Sequence, residues 1–289
     1  MTLPRILLFA PANVARRAEG AMASAADAAI LDLEDAVPPG EKLAARDALT
    51  ALLATPRAAG GPRRYVRVNA ASTPLCLGDL QAALAAGAEG IMLPKAESAE
   101  GILAFAWAMR QLCGALGRDP AGIEFLPLVE TARGLMALPN LPWREAGAQR
   151  VALGTVDLLA DFGTGAADAA AAILHAQRVC VAGSRAAGLA APIDGVHLDV
   201  RDAVGAEAAM RESAAIGFGA KLAIHPAQIA PLRAGLVPPA TELAWAREVV
   251  SAYAAAQAAG SGAITVAGKL VDEPVAKRAR ELLAMAGES

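Results

Sequence analysis

The chain has 289 residues, enough for one large domain or two small ones, and with 55% hydrophobic against 19% charged residues it can bury a substantial core. A formal net charge of −3 with no basic block argues against nucleic acid or an anionic membrane as a general partner. No apolar run reaches membrane-spanning length, and the N-terminus lacks the pattern of a signal peptide. Cys76, Cys113 and Cys180 are odd in number and widely spaced, which fits a reducing cytoplasm better than a disulfide framework or a zinc site.

Residues 6–9 read as an apolar strand, after which Asn13 is placed to cap a helix running to about residue 25. The next strand, 28–32, ends in a cluster of acids, Asp32, Glu34 and Asp35, before Pro38-Pro39-Gly40 breaks the chain and a helix spans 41–54. Residues 65–69 form a third strand, 77–86 a helix, 90–93 a fourth strand ending in Pro94-Lys95, and 99–116 a long helix. The fifth strand, 124–129, ends at Glu130, and a helix from about 133 stops before the prolines at 139 and 142. A sixth strand at 151–153 leads into Gly154-Thr155-Val156-Asp157, followed by a helix at 166–187, a strand at 195–198 and a helix at 206–216. The eighth strand, 221–224, closes on His225-Pro226 before a last helix at 227–234.

Eight strand–helix alternations have the size and order of an α/β protein of the (β/α)8 TIM-barrel type. The alternative, a doubly wound sheet, lacks an early Gly-x-Gly-x-x-Gly here. The barrel is expected to occupy residues 1–235, and residues 236–289 a C-terminal helical arm that packs on the barrel or on a neighbouring subunit. Within the arm, helices are expected at 241–258 and 274–285, with an extended segment at 264–271.

In such a barrel the chemistry sits where the strands end. That rim receives Asp32, Glu34, Arg67, Asn69, Lys95, Glu130, Asp157 and His225. Glu130 and Asp157 lie one strand–helix unit apart and should be neighbours. Two hard carboxylates with open positions suit Mg²⁺, with Glu34 and Asp35 holding its waters. Arg67 offers a planar fork that matches a substrate carboxylate, and Gly154 leaves room for a ligand beside the backbone. Plainer readings stand beside these: an ordinary pair of rim acids, a partner acid for Lys95, a satisfied core histidine for His225. Together the set suggests an enzyme for a small carboxylate held on magnesium.

Several motifs carry a resemblance: Leu8-Phe9-Ala10-Pro11-Ala12-Asn13, Ile30-Leu31-Asp32-Leu33-Glu34-Asp35-Ala36-Val37, Val66-Arg67-Val68-Asn69, Met92-Leu93-Pro94-Lys95, Val129-Glu130-Thr131, Gly154-Thr155-Val156-Asp157-Leu158, Ile224-His225-Pro226-Ala227-Gln228-Ile229 and Val271-Asp272-Glu273-Pro274. From Leu8 to about Ala284 the chain resembles the citrate lyase β-subunit family of the HpcH/HpaI aldolase superfamily, which also holds malyl-CoA and citramalyl-CoA lyases. The resemblance implies Mg²⁺ on Glu130 and Asp157, and Glu34 and Asp35 around it. Arg67 would be the ligand of the substrate carboxylate and, with Asp272, a catalytic group. It implies a homo-oligomer, often a trimer, whose arm carries Asp272 into a neighbouring site, and Arg16 or Arg17 against CoA phosphates.

The implied activity is Mg²⁺-dependent cleavage of a citryl-, malyl- or citramalyl-CoA-type thioester into an acetyl thioester and oxaloacetate, glyoxylate or pyruvate. Alternatives are a malyl-CoA thioesterase on the same metal site, or a citryl lyase subunit working with an acyl-carrier protein. Ala12 and Ala220 depart from the glycines usual in that family. Asp272 before Pro274 also suits a plain helix N-cap.

Overall fold

The computed structural model describes residues 3–163, 165 and 167–287. The chain divides into two compact units, Met1–Leu232 and Arg233–Ser289. Strands and helices alternate as β1 (Ile6–Pro11), α1 (Ala15–Met22), β2 (Ala28–Asp32), α2 (Lys42–Ala54), β3 (Arg63–Arg67), α3 (Cys76–Ala85), β4 (Gly90–Leu93) and α4 (Ala99–Ala115). They continue as β5 (Glu124–Val129), α5 (Ala132–Ala137), β6 (Ala152–Leu153), α6 (Thr155–Phe162), α7 (Ala169–Ala186), β7 (Ile193–Asp194), α8 (Ala203–Ile216), β8 (Ala220–Ala223) and α9 (Ile229–Gly235). All eight strands pair in parallel and in chain order, and β8 closes on β1 by setting Lys221–Ala223 against Ile6–Leu8. The fold is the expected (β/α)8 barrel.

Alternation along each strand builds two apolar layers. Leu7, Ile30, Tyr65, Met92, Leu126 and Leu222 fill the barrel interior. Their neighbours Leu31, Val66, Ile91, Phe125 and Leu153 point outward against helix residues such as Leu49, Leu80 and Phe105. With both faces buried, the strands are continuous apolar runs.

Four expectations shift. Asn13 does not cap α1: Val14 holds that position without a side-chain cap, and Asn13 Nδ2 donates instead to Glu41 Oε2 at 2.6 Å. β3 ends at Arg67 rather than residue 69. β7 is Ile193–Asp194 rather than residues 195–198, with Ile193 paired to both Ala152 and Ala220. The apolar Leu198 that suggested a strand is 66% exposed, and Gly195 lies past the strand, where Thr155 Oγ1 would come within 2.4 Å of any added Cβ. Asp157 sits in the first turn of α6 rather than at a strand end. The expected start of α7, Ala166, lies outside the described residues.

The second unit contains α10 (Ala240–Ala258), β9 (Ile264–Val266), β10 (Lys269–Val271) and α11 (Glu273–Met285). The expected extended segment is a hairpin. Ala267 and Gly268 adopt φ of +47° and +75°, the two left-handed residues a primed two-residue turn requires. Val249, Tyr253, Val266, Val271 and Ala276 form this unit's core. Among the described residues, no helix is long and apolar enough to cross a membrane.

Where β5 begins, Glu124 is buried and fully paired. Arg150 Nε donates to its Oε1 at 2.8 Å, the Tyr65 hydroxyl donates to its Oε2, and Arg150 Nη1 reaches Pro4 O at 2.7 Å. Arg150→Ala would strand the Glu124 carboxylate and is expected to cost about 3–5 kcal/mol in urea unfolding. Arg57→Ala, which removes the more exposed ion pair to Glu89, should cost less than about 1 kcal/mol.

Candidate metal and substrate site

The ladder between β2 and β3 sets Asp32 opposite Arg67. That register lets Arg67 Nε and Nη2 donate to both Asp32 oxygens, at 2.7 and 2.6 Å. Asp32 also accepts the Glu34 and Ala36 N–H groups at 2.9 and 3.0 Å, which folds the chain back after β2. Arg67 Nη1 lies 3.1 Å from Glu34 Oε2 and 3.9 Å from Asp35 Oδ2, and the guanidinium stands 4.8 Å over the Phe9 ring. Burial alone would lower the Arg67 pKa, but the hydrogen bonds to Asp32 and the charges of Asp32, Glu34 and Glu130 raise it, so the group stays charged. The side edge of the fork expected for a substrate carboxylate is therefore already held by Asp32.

Lys95 follows β4 with φ of +51°, an uncommon conformation for a residue with a side chain. In that conformation its N–H donates to Glu130 Oε1 at 2.9 Å while its Nζ donates to Glu34 Oε1 at 2.6 Å. Glu130 is 1% exposed, and its Oε2 is buried with no hydrogen-bond partner. Burial first, then the charges of Glu34 and Asp157, push its carboxyl up to about 8. Gly154 makes this placement possible: a Cβ there would lie 2.6 Å from Glu130 Cβ and 2.7 Å from Oε2. The room Gly154 leaves beside the backbone is taken on one side by Glu130, and Gly154 also lines the neighbouring cavity.

Asp32, Asp35, Arg67, Glu130, Gly154 and Asp157 line one cavity of about 370 Å³. An unpartnered buried carboxylate oxygen beside a second acid is an environment that a hard cation relieves. Among the described residues no group of three or more His, Cys, Asp or Glu is placed to hold a metal. A closed zinc-type cage is therefore not built, whereas two carboxylates completed by water and substrate oxygens fit magnesium.

Other rim residues are used elsewhere. Asn69 Nδ2 donates to Asp79 Oδ2 at 2.6 Å and to Leu33 O at 3.0 Å, tying the segment after β2 to α3 rather than lining the cavity. His225 is exposed rather than a core histidine, and its Nδ1 caps the following turn by accepting the Ala227 N–H at 3.2 Å. Asp272, in the second unit, accepts the Val275 N–H at 3.2 Å and caps α11. Sequence reasoning passed over Asp32 as an anchor, the Lys95 amide and Phe9. The one available signal was that Asp32 is the acid nearest the apolar run.

With its carboxyl raised to about 8, Glu130 would have to release a proton at lower pH to hold a cation. Apparent Mg²⁺ affinity measured by calorimetry is expected to rise close to tenfold per pH unit up to about 8 and then level off. A pH-independent affinity would contradict this. The folded pKa lies above the unfolded 4.5, so the metal-free protein should also lose stability as pH rises from there toward 8, and Glu130→Gln should reduce that slope. Gly154→Ala should weaken Mg²⁺ binding about 10- to 100-fold with the circular dichroism spectrum unchanged.

Residues 5–226 match the family described as HpcH/HpaI aldolase/citrate lyase. The citrate lyase subunit beta-like protein of Mycobacterium tuberculosis is 36% identical over 287 residues, covering 98% of this chain and 95% of that one. Mitochondrial citramalyl-CoA lyase of Homo sapiens is 33% identical over 293 residues, covering 98% and 85%. The crystal structure of protein CitE from Mycobacterium tuberculosis, in complex with magnesium, acetoacetate and coenzyme A, superposes with a TM-score of 0.81 at 35% identity over 98% of both chains. With most of its length matched and its barrel shared, the chain belongs to the HpcH/HpaI aldolase/citrate lyase family.

Proposed function

We propose that this chain is a Mg²⁺-dependent carbon–carbon lyase that cleaves a 3-hydroxyacyl thioester into an acetyl thioester and a 2-oxo acid. The observation that carries the reading is the unpartnered, buried Oε2 of Glu130 in a cavity it shares with Asp157. Glu130 and Asp157 would hold the cation, and Glu34 and Asp35 its waters. Bound magnesium supplies positive charge that acidifies the substrate hydroxyl and stabilises the forming oxo-acid. Arg67 lines the same cavity and offers the oxo-acid carboxylate the N–H groups that Asp32 leaves free. A base removes the hydroxyl proton, the carbon–carbon bond breaks, and its electron pair passes to the acetyl carbon as a thioester enolate. A proton returned to that carbon completes the acetyl thioester.

Asp272 is the proposed base, supplied by a neighbouring copy in a homo-oligomer, with a trimer favoured; the catalytic barrel is then residues 1–235 and the shared arm 236–289. Capping α11 does not prevent this, because a capping carboxylate keeps acceptor capacity. A second cavity of about 700 Å³ contains Arg16, Arg17 and His225 and shares Phe9 and Ile224 with the carboxylate cavity. That continuity supports a pantetheine arm passing Phe9 toward CoA phosphates on Arg16 and Arg17, and an acyl-carrier protein would present the same arm. Three buried free cysteines fit a reducing compartment such as the cytoplasm.

Purified protein with Mg²⁺ should release acetyl-CoA from at least one of citryl-, malyl- and citramalyl-CoA. Release of free CoA instead would mark a thioesterase. Glu130→Gln should lower kcat by about 1,000-fold or more, and turnover that survives excess chelator would overturn the metal assignment. Asp272→Asn chains and Glu130→Gln chains, each inactive alone, should regain activity when mixed under subunit exchange. Continued inactivity of demonstrated mixed oligomers would rule out a shared site.

A further inference from the structure

The lining of the carboxylate cavity carries a statement about substrate that likeness to relatives does not, since those relatives are named both as citrate lyase subunit beta-like and as citramalyl-CoA lyase. Resting on the lyase reading, we propose that the site is built for a 2-oxo acid with a single carboxylate, carrying a hydrogen or short alkyl substituent. The preferred thioesters are then of the citramalyl and malyl type, and a citryl thioester, which would yield oxaloacetate, is discriminated against.

Charge in the lining is lopsided. Asp32, Asp35, Glu130 and Asp157 contribute carboxylates, and Arg67 is the one cationic side chain among the described lining residues. Arg67 is already gripped on its side edge by Asp32. Lys95, another cation of the rim, is tied to Glu34 and is not part of the lining. Apart from the neutral Thr155 hydroxyl, the remaining side-chain walls are apolar, chiefly Phe9, Leu128, Leu153, Val196, Leu222 and Ile224. Phe9, Leu128, Val196 and Leu222 are continuous with the core inside the barrel.

A 2-oxo acid would put its carboxylate and keto oxygen toward the cation and the part of the Arg67 guanidinium that Asp32 does not hold. Its substituent then faces the apolar walls or the remaining acids. A methyl group gains contact there. A second carboxylate would lose water with no second cation in this lining to meet it, a cost larger than the worth of one methylene.

The test measures kcat/KM for citramalyl-, malyl- and citryl-CoA with saturating Mg²⁺, on the full-length protein in its native assembly. Citryl-CoA is expected to fall at least about 100-fold below the better of the other two, with citramalyl-CoA ahead of malyl-CoA by about tenfold. Citryl-CoA within tenfold of the best would overturn the inference while leaving the lyase reading intact. Calorimetry with pyruvate and freshly dissolved oxaloacetate in excess Mg²⁺ reads the same preference without turnover. Pyruvate should bind at least tenfold more tightly, and equal or tighter oxaloacetate binding would overturn the inference. If no thioester is cleaved but pyruvate is still preferred, the lyase reading falls and the inference about the cavity stands. Val196, half-buried at the rim, is the position for a gain-of-function check. Val196→Arg should raise the citryl-to-citramalyl ratio at least tenfold, and an unchanged ratio in a folded, active variant would count against the proposal.

Discussion

One guanidinium holds the acids at the C-terminal end of the barrel in register. Arg67 grips Asp32 with two hydrogen bonds, touches Glu34, and lies within ion-pair range of Asp35. The grip follows from strand pairing, because Asp32 and Arg67 stand opposite one another in the β2–β3 ladder. Asp32 then turns the chain so that Glu34 enters the interior, where burial raises its carboxyl and Arg67 and Lys95 work to lower it. A lysine at position 67 would keep the charge but could not span both Asp32 oxygens, so the turn that carries Glu34 and Asp35 would lose its anchor.

Three buried acids in this barrel differ in how their charge is met. At the start of β5, both oxygens of Glu124 are paired, one by Arg150 and the other by Tyr65. Between β7 and β8, Asp194 leaves Oδ1 without a partner, but its charge is met by Lys221 and its Oδ2 also accepts from Ser213 and Gln177. At the end of β5, Glu130 has no cation bonded to it, only the Lys95 amide on one oxygen, and the charges of Glu34 and Asp157 oppose its ionisation. Burying repelling acids destabilises the fold, and a folded protein retains such an arrangement where binding a cation offsets it. The left-handed Lys95 and the missing side chain at Gly154 fix Glu130 before any ligand arrives, which is preorganisation rather than adaptation.

The barrel was readable because its strands are buried on both faces: β2, β4 and β5 match the predicted runs to the residue, each an apolar stretch bounded by acids, Gly or Pro. β7 was not, because a two-residue strand is shorter than any periodic signal, and the more apolar Val196 and Leu198 beside it drew the assignment away. The acids and Arg67 were legible as a set because strand ends collect on one face. Their pairing was not, since register between β2 and β3 does not follow from spacing, and so the occupation of the Arg67 fork by Asp32 stayed hidden. Gly154 was noticed for the right physical reason, absence of a side chain, but the atom that needs the space belongs to Glu130.

The apolar floor of the site is also the core of the barrel, and this constrains how its selectivity can vary. Leu128 and Leu222 are each 2% exposed, and both pack in the interior cluster while lining the carboxylate cavity. Shrinking either to alanine to admit a larger acid would cost about 2–5 kcal/mol, a large fraction of the stability of a typical domain. Placing a charge there would set it against Ile30, Met92 and Leu126 at a desolvation cost. Val156 and Ile224, which line the same cavity at 48% and 39% exposure, carry no such penalty. Changes of substrate are therefore cheapest at Val156, Val196 and Ile224, in the segments that follow the strands. The proposed metal pair and the Asp32–Arg67 anchor can stay fixed while those positions change, so a shared reaction and a divergent choice of acid can coexist on one barrel.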